Sequence, residues 1–178
     1  MRVGHDGSMP ITPDTKNWTW VLERPCPECG FDATTFAATD VSTLLRENTA
    51  AWPAVLSRAD VRVRPDDSTW SPLEYSAHVR DVVRIYDYRL GLMQEQDDPL
   101  FPNWDQDETA VEEKYNEQDP AVVADELRAA GASLADAFDG VTDWSRPGRR
   151  SDGVAFTIET FAMYFIHDPI HHLHDVTR

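Results

Sequence analysis

The sequence predicts an all-α fold, a four-helix bundle over residues 40–178 with an extended N-terminal arm. Three observations lead to this class. Four segments of about 20 residues each carry apolar side chains at steps of three and four, the period of a helix with one buried face. Turn-forming and cap-forming residues separate these segments, and no segment shows a convincing strand alternation. At 178 residues, the chain has the usual size of one domain and can bury a core without disulfides.

The N-terminal part of the sequence carries no helical period and divides into two stretches. In residues 1–8, glycine and serine precede a second methionine, Met9, which is typical of a cloning leader or an upstream extension. Residues 9–39 contain four prolines and predict the extended arm, which we expect to pack on the bundle through large apolar side chains. These anchors are Trp18, Trp20 and Leu22.

The first two helices are predicted from their apolar period and their cap residues. Helix one is expected over residues 40–58. Helix two begins at a capping sequence in which Ser71 is the N-cap, Pro72 takes the first helical position and Glu74 the third. Its apolar stripe continues to about Met93.

A long acidic connection separates helices two and three. The stretch 95–119 contains ten acidic residues and one lysine, so we expect a solvated loop with a short helix near 107–117. Helix three is expected over 119–139, where Asp-Pro begins it and glycine follows it. Helix four is expected over 157–176.

The formal charge of -16 argues against two classes of partner. Thirty-two acidic residues stand against sixteen Lys and Arg, which disfavours both a nucleic-acid backbone and an anionic membrane surface. No run of residues is apolar enough to span a bilayer, and the N-terminus lacks the pattern of a secretory signal. We therefore expect a cytoplasmic protein without nucleic-acid or membrane partners.

Histidines cluster in the fourth predicted helix. His167 and His171 are four residues apart, so they lie on one face about 6 Å apart along the axis and can reach one metal ion. His174 shares this stripe, whereas His172 is rotated by about 100° and is expected to point elsewhere. Two imidazoles at this spacing form half of a metal site.

His78 in helix two is the expected third ligand, because it is the one histidine outside both this cluster and the N-terminal tail. Glu74 and Asp81 lie within one turn of it and are candidate acceptors for an imidazole N–H. Three protein ligands with an open position are typical of a catalytic site that activates water or a thiol.

Three stretches carry a resemblance to a known family: WSPLEYSAH at 70–78, WSRPGRRSDG at 144–153 and HDPIHH at 167–172. The sequence resembles the DinB/YfiT-like superfamily of metal-dependent enzymes. This superfamily includes mycothiol- and bacillithiol-dependent S-transferases and the N-terminal domain of mycothiol-dependent maleylpyruvate isomerase. The resemblance covers about residues 40–178. It implies an up-down-down-up bundle, often a homodimer, with zinc or nickel bound by His78, His167 and His171.

The resemblance also implies a reaction, the transfer of a low-molecular-weight thiol to an electrophile. In such a transferase the metal lowers the pKa of the thiol, so that the thiolate forms at neutral pH. Arg146, Arg149 and Arg150 cluster in an otherwise acidic chain and are candidates for binding a carboxylate of the thiol or the electrophile. Arginine-rich, lysine-poor usage hints at an actinobacterial source, in which mycothiol would be the thiol.

Three alternatives stay open. HDPIH at 167–171 resembles the H-E-x-x-H motif of zinc hydrolases with Asp168 as general base, although Asp is shorter than Glu and Pro169 should kink the helix. In that hydrolase, His174 would be the remaining ligand. The metal could instead serve a non-catalytic binding or sensing protein. Finally, Cys26 and Cys29 could form a redox pair, or half of a zinc knuckle that needs outside ligands.

Overall fold

The computed structural model describes residues 17–178, which form five α-helices, four short 3₁₀ helices and a two-stranded hairpin. The predictions for residues 1–8, and for the arm before Asn17, lie outside the described residues. The helices are α1 Val41–Leu56, α2 Pro72–Glu95, α3 Gln106–Glu112, α4 Pro120–Asp139 and α5 Ile158–Thr177. The strands are β1 Pro147–Arg149 and β2 Ala155–Thr157.

The predicted four-helix bundle is confirmed, with α1, α2, α4 and α5 as its members. Helices α1 and α2 each pack against both α4 and α5, so α1 and α2 lie diagonally across the core. Bundles of this kind need longer connections than a simple up-down bundle, and the acidic connection supplies one of them. The largest buried side chains include Trp52, Phe138, Phe161 and Phe165.

Helix α2 begins where its capping sequence predicts. The Ser71 hydroxyl accepts a hydrogen bond from the Glu74 amide, and the Glu74 carboxylate accepts one from the Ser71 amide at 2.8 Å. Pro72 occupies the first helical position. This start fixes the register of α2 and places His78 on its buried face, where the side chain is 1% exposed.

The N-terminal arm packs on the bundle, as its large apolar side chains predict. It contains short 3₁₀ helices at Trp18–Leu22, Ala33–Thr35 and Ala38–Asp40, and the first and last of these contact α5. Val21 and Phe31 are buried in the core. The 3₁₀ helices are too short to produce an apolar period, so the sequence pattern did not reveal them.

The loop before α5 contains two short strands that the sequence pattern did not indicate. Strands β1 and β2 pair in antiparallel register, with Gly148 opposite Phe156. Each strand has three residues, too few for alternation to be visible in the sequence. Glycine is required at 148, because a Cβ there would lie 2.7 Å from Phe101 Cζ and 2.8 Å from Met93 Cγ.

The acidic connection contains the short helix α3, in which no residue is buried. The side chain of Asp105 caps this helix by accepting hydrogen bonds from two backbone amides. A 3₁₀ turn at Tyr115–Glu117 follows, and the Tyr115 hydroxyl donates to Asp81 on α2 at 2.6 Å. Within residues 17–178, no helix has the length and apolar content needed to cross a membrane.

Candidate metal centres

Two groups of metal-ligand side chains converge on α5 in the described part of the chain. Within each group, one ligand atom from every residue lies within 4.8 Å of the others. The first group, the Cys/His cluster, consists of Cys26, Cys29, His167 and His171. The second group, the Asp/His cluster, consists of His78, Asp168 and His172.

The register of α5 explains why there are two groups. Successive helical residues are rotated by about 100°, so His167 with His171 and Asp168 with His172 form two neighbouring i,i+4 pairs. The first pair faces the N-terminal arm and the second faces α2. Pro169 lies inside α5, which continues through it, and Asn48 on α1 donates to the Pro169 carbonyl at 2.9 Å.

The structure divides the predicted histidine triad between these groups. His78 lies with Asp168 and His172, whereas His167 and His171 lie with the cysteines. His172 lies in a different group from His167 and His171, in line with the expected rotation, and its ring meets His78 edge-on with 5.0 Å between centroids. A single ion bound by His78, His167 and His171 together stays a prediction.

The Asp/His cluster has the donor set and spacing of a divalent-metal site. Asp168 Oδ2 lies 3.7 Å from Nε2 of His78 and 3.7 Å from Nε2 of His172. These distances are too long for hydrogen bonds. They are close to the separation of about 3.4 Å between ligand atoms that each bind a tetrahedral ion at about 2.1 Å.

An unsatisfied polar atom supports the same interpretation. Among the described residues, Asp168 Oδ1 is buried without a hydrogen-bond partner. Burial alone would raise the pKa of Asp168, but the imidazoles of His172 and His78 lower it to about 2. Asp168 is therefore ionised at neutral pH, and a cation between these side chains would satisfy it.

A cavity of about 720 Å³ adjoins both clusters, because Asp168 and His172 line it together with His167 and His171. Trp70 and Trp104 also line it and pack on the His78 ring, with centroid distances of 5.2 Å and 5.9 Å. This volume is in the range of sites that bind small molecules, about 300–1,000 Å³.

In the Cys/His cluster, Cys26 Sγ lies 3.7 Å from His171 Nδ1. Burial lowers the pKa of His167 to about 4 and also lowers the pKa of His171, so both imidazoles are neutral at pH 7. Burial raises the pKa of the Cys29 thiol to about 11. Neutral imidazole is the form that binds metal.

Asp175 connects the two clusters and was missed by the sequence interpretation. Its Oδ2 lies 3.6 Å from His171 Nε2 and 3.3 Å from His172 Nδ1. Burial alone would raise the pKa of Asp175, but the contact with His172 lowers it. The i,i+3 and i,i+4 spacing of Asp175 from these histidines is visible in the sequence and could have identified it.

Several other predicted site residues have different partners. Glu74 caps α2 and pairs with Arg64. Asp81 pairs with Arg80 at 2.8 Å. His174 is half-buried and belongs to neither cluster. Both candidate acceptors for the His78 N–H, Glu74 and Asp81, are therefore paired with arginines.

The three arginines of the loop before α5 differ in role. Arg146 donates to the carbonyls at the end of α2, and Arg149 pairs with Asp98 at 2.8 Å. Arg150 alone of the three lines the cavity. Its guanidinium forms hydrogen bonds with the Asp152 carboxylate, which raises the pKa of Arg150.

Comparison with known proteins identifies the family of this bundle. A family model of the DinB superfamily matches residues 43–176. The fold is similar to YfiT from Bacillus subtilis, described as a probable metal-dependent hydrolase with an unusual four-helix bundle topology. The TM-score is 0.69 at 17% identity, over 79% of this chain and 86% of YfiT, and no curated protein matches the chain. The likeness to YfiT establishes the fold, and since the family model spans most of the sequence, the chain belongs to the DinB superfamily.

Proposed function

We propose that the protein is a metal-dependent enzyme that transfers a low-molecular-weight thiol to an electrophile, with the metal held by His78, Asp168 and His172. The observation that carries this proposal is the convergence of these three ligand atoms beside a cavity, with a buried carboxylate oxygen left unpaired. Three protein ligands leave a coordination position for the thiol. Imidazole and carboxylate ligands suit zinc and are compatible with nickel, the two expected metals.

The residues around the cluster support its use as a reactive centre. A bound divalent ion would lower the pKa of a thiol, so that the thiolate is available at neutral pH. Asp175 lies 3.3 Å from His172 Nδ1, where a carboxylate can orient the ring of a histidine ligand. Trp70 and Trp104 cover His78 and exclude water from it.

Arg150 is the proposed binding group for an anionic part of the thiol or electrophile. It lines the same cavity, and its guanidinium is oriented by Asp152 and by the Tyr164 hydroxyl, to which it donates at 3.0 Å. Two of its N–H groups bond Asp152 and a third bonds Tyr164, so the remaining N–H groups of the guanidinium are the ones proposed to bind a carboxylate. Mycothiol is the expected thiol, as the arginine-rich composition suggests.

Metal-dependent hydrolysis is the second candidate, because YfiT is described as a probable metal-dependent hydrolase. The same three ligands and the same cavity would serve a metal-activated water. The HDPIH sequence would make Asp168 a general base, and the structure favours this role less. Asp168 Oδ2 lies at the distance from His78 and His172 that is expected when all three side chains bind one ion.

An activity assay on the metal-loaded full-length protein tests the proposal. Mycothiol, bacillithiol and glutathione are each offered with monochlorobimane, and a simple ester is offered without thiol. We expect metal-dependent acceleration with at least one thiol, lost in Asp168→Ala and His172→Ala. The matched control is His174→Ala on the same helix, which should retain activity.

The other outcomes separate the alternatives. Ester cleavage that needs metal but no thiol would support the hydrolase and contradict the transferase. Metal binding without acceleration in any assay would support a non-catalytic binding or sensing protein. Activity that survives in Asp168→Ala but not in His167→Ala would contradict the proposed ligand set and favour the triad of His78, His167 and His171.

A further inference from the structure

We propose that the Cys/His cluster is a second, structural zinc site that fastens the N-terminal arm to helix α5. Its four ligand atoms lie within 4.8 Å of one another and come from Cys26, Cys29, His167 and His171. Two cysteines and two histidines are a usual donor set of structural zinc, in which all four tetrahedral positions are filled by protein. The site shares no ligand with the Asp/His cluster, so it does not depend on the proposed function.

The distance between one sulfur and one nitrogen of the cluster fits a zinc ion. Bonds of about 2.3 Å to sulfur and about 2.1 Å to nitrogen at tetrahedral angles separate these two ligand atoms by about 3.6 Å. The observed distance from Cys26 Sγ to His171 Nδ1 is 3.7 Å. In addition, Nε2 of His167 is buried and has no hydrogen-bond partner among the described residues. Such atoms are rare in folded proteins, and a metal bond would account for this one.

The arm supplies its half of the site through a tight turn. The Gly30 amide donates to the Cys26 carbonyl at 2.9 Å, and the Cys26 amide donates to the Phe31 carbonyl at 2.7 Å. Gly30 has a φ of +75°, which glycine adopts without strain. The turn therefore holds both thiols of the C-x-x-C sequence close to the histidines of α5. This spacing is typical of half a zinc site.

Helix α5 supplies the two histidine ligands, and two carboxylates face the ring nitrogen of His171 that points away from the cysteines. Nε2 of His171 lies 3.5 Å from Glu28 and 3.6 Å from Asp175, which leaves Nδ1 to face Cys26. A carboxylate behind a histidine ligand is common in zinc sites, where it fixes the tautomer. The arm and α5 thus bring their four ligand atoms within 4.8 Å of one another.

The surroundings of this point favour a structural rather than a catalytic ion. The rings of Trp18 and Phe31 pack on His167, with centroids 5.4 Å and 5.1 Å away, and Cys26 is 1% exposed. Four protein ligands leave no position for a substrate. Trp18, His167 and His171 also line the cavity that both clusters adjoin, so the ion would hold one wall of that cavity in place.

Cobalt substitution tests this site without reference to activity. Metal-free full-length protein is loaded with Co(II), and thiolate-to-cobalt charge transfer is followed in the near-ultraviolet, together with the metal content per chain. We expect a charge-transfer band in the wild type that is lost in Cys26→Ser and in Cys29→Ser. The matched control is His78→Ala, which removes a ligand of the Asp/His cluster and should keep the band. In each cysteine variant the metal content should fall by one ion per chain.

Thiol protection provides a measurement that needs no variant. In the zinc-loaded wild type, both thiols should react with dithionitrobenzoate far more slowly than after removal of zinc by a chelator. Equal rates, a cobalt protein without the charge-transfer band, or a Cys26–Cys29 disulfide persisting in the presence of zinc would each overturn the proposal. Loss of transferase activity alone would leave it intact, and a missing charge-transfer band would leave the proposed function intact.

Discussion

Asn48 connects α1 to the segment of α5 that lies between the two clusters. Its Nδ2 donates to the Pro169 carbonyl at 2.9 Å, and its Oδ1 accepts from Trp52 Nε1 at 3.0 Å. Asn48 is 6% exposed and Trp52 is fully buried. Replacing Asn48 with alanine therefore removes two buried hydrogen bonds and leaves the indole N–H without its acceptor.

The expected cost of Asn48→Ala follows from these two bonds. A buried donor left without a partner costs about 1–3 kcal/mol, and a lost neutral hydrogen bond costs about 0.5–1.5 kcal/mol. We expect the free energy of unfolding to fall by about 2–4 kcal/mol, which lowers the Tm of a chain of this size by about 10 °C. Urea unfolding of the metal-free protein, followed by circular dichroism, measures the change without a contribution from metal binding.

A double-mutant cycle tests the physical reason. In a Trp52→Phe background the indole donor is already absent, so Asn48→Ala should cost less by about 1–3 kcal/mol. The exposed control Asn103→Ala should change stability by no more than about 0.5 kcal/mol. If Asn48→Ala costs the same in both backgrounds, the unpaired indole N–H is not the source of the effect.

Two further substitutions have matched controls. Gly131→Ala on α4 should destabilise by about 1–3 kcal/mol, because its Cβ would lie 2.5 Å from Thr49 Cγ2, whereas Gly91→Ala on α2 meets nothing within 4 Å and should stabilise by about 0.5–1 kcal/mol. Urea unfolding of both proteins measures this, and shifts of the same sign would contradict the packing of α4 on α1. Arg150→Gln should raise the KM for an anionic thiol by about tenfold or more, while Arg149→Gln leaves it unchanged. Steady-state kinetics at varied thiol concentration decide this, and equal KM changes would remove Arg150 from the substrate site.

The helices were predictable because their signals are local. The capping pair Ser71 and Glu74 determines where α2 begins, and the apolar period alone places the four long helices within a few residues of their observed limits. The strands β1 and β2 lacked any such signal, because three residues cannot show a period.

The grouping of ligands was not predictable, because it depends on how α5 is rotated in the bundle. The sequence shows that His167 with His171 and Asp168 with His172 are each on one face, but it does not show which face meets α2. Similarly, Cys26 reaches α5 only because the arm folds across that helix, a contact between residues 145 positions apart. The partners of Arg146 and Arg149 were not predictable for the same reason, because they lie about 50 residues away in the sequence.

Anomalous diffraction from a crystal of the zinc-loaded protein tests the central claim most directly, since two data sets on either side of the zinc absorption edge locate the ions themselves. We predict two anomalous peaks on adjacent faces of α5. One lies among His78, Asp168 and His172, and the other among Cys26, Cys29, His167 and His171. A single peak bound jointly by His78, His167 and His171, with the thiols of the arm unligated, would contradict the claim.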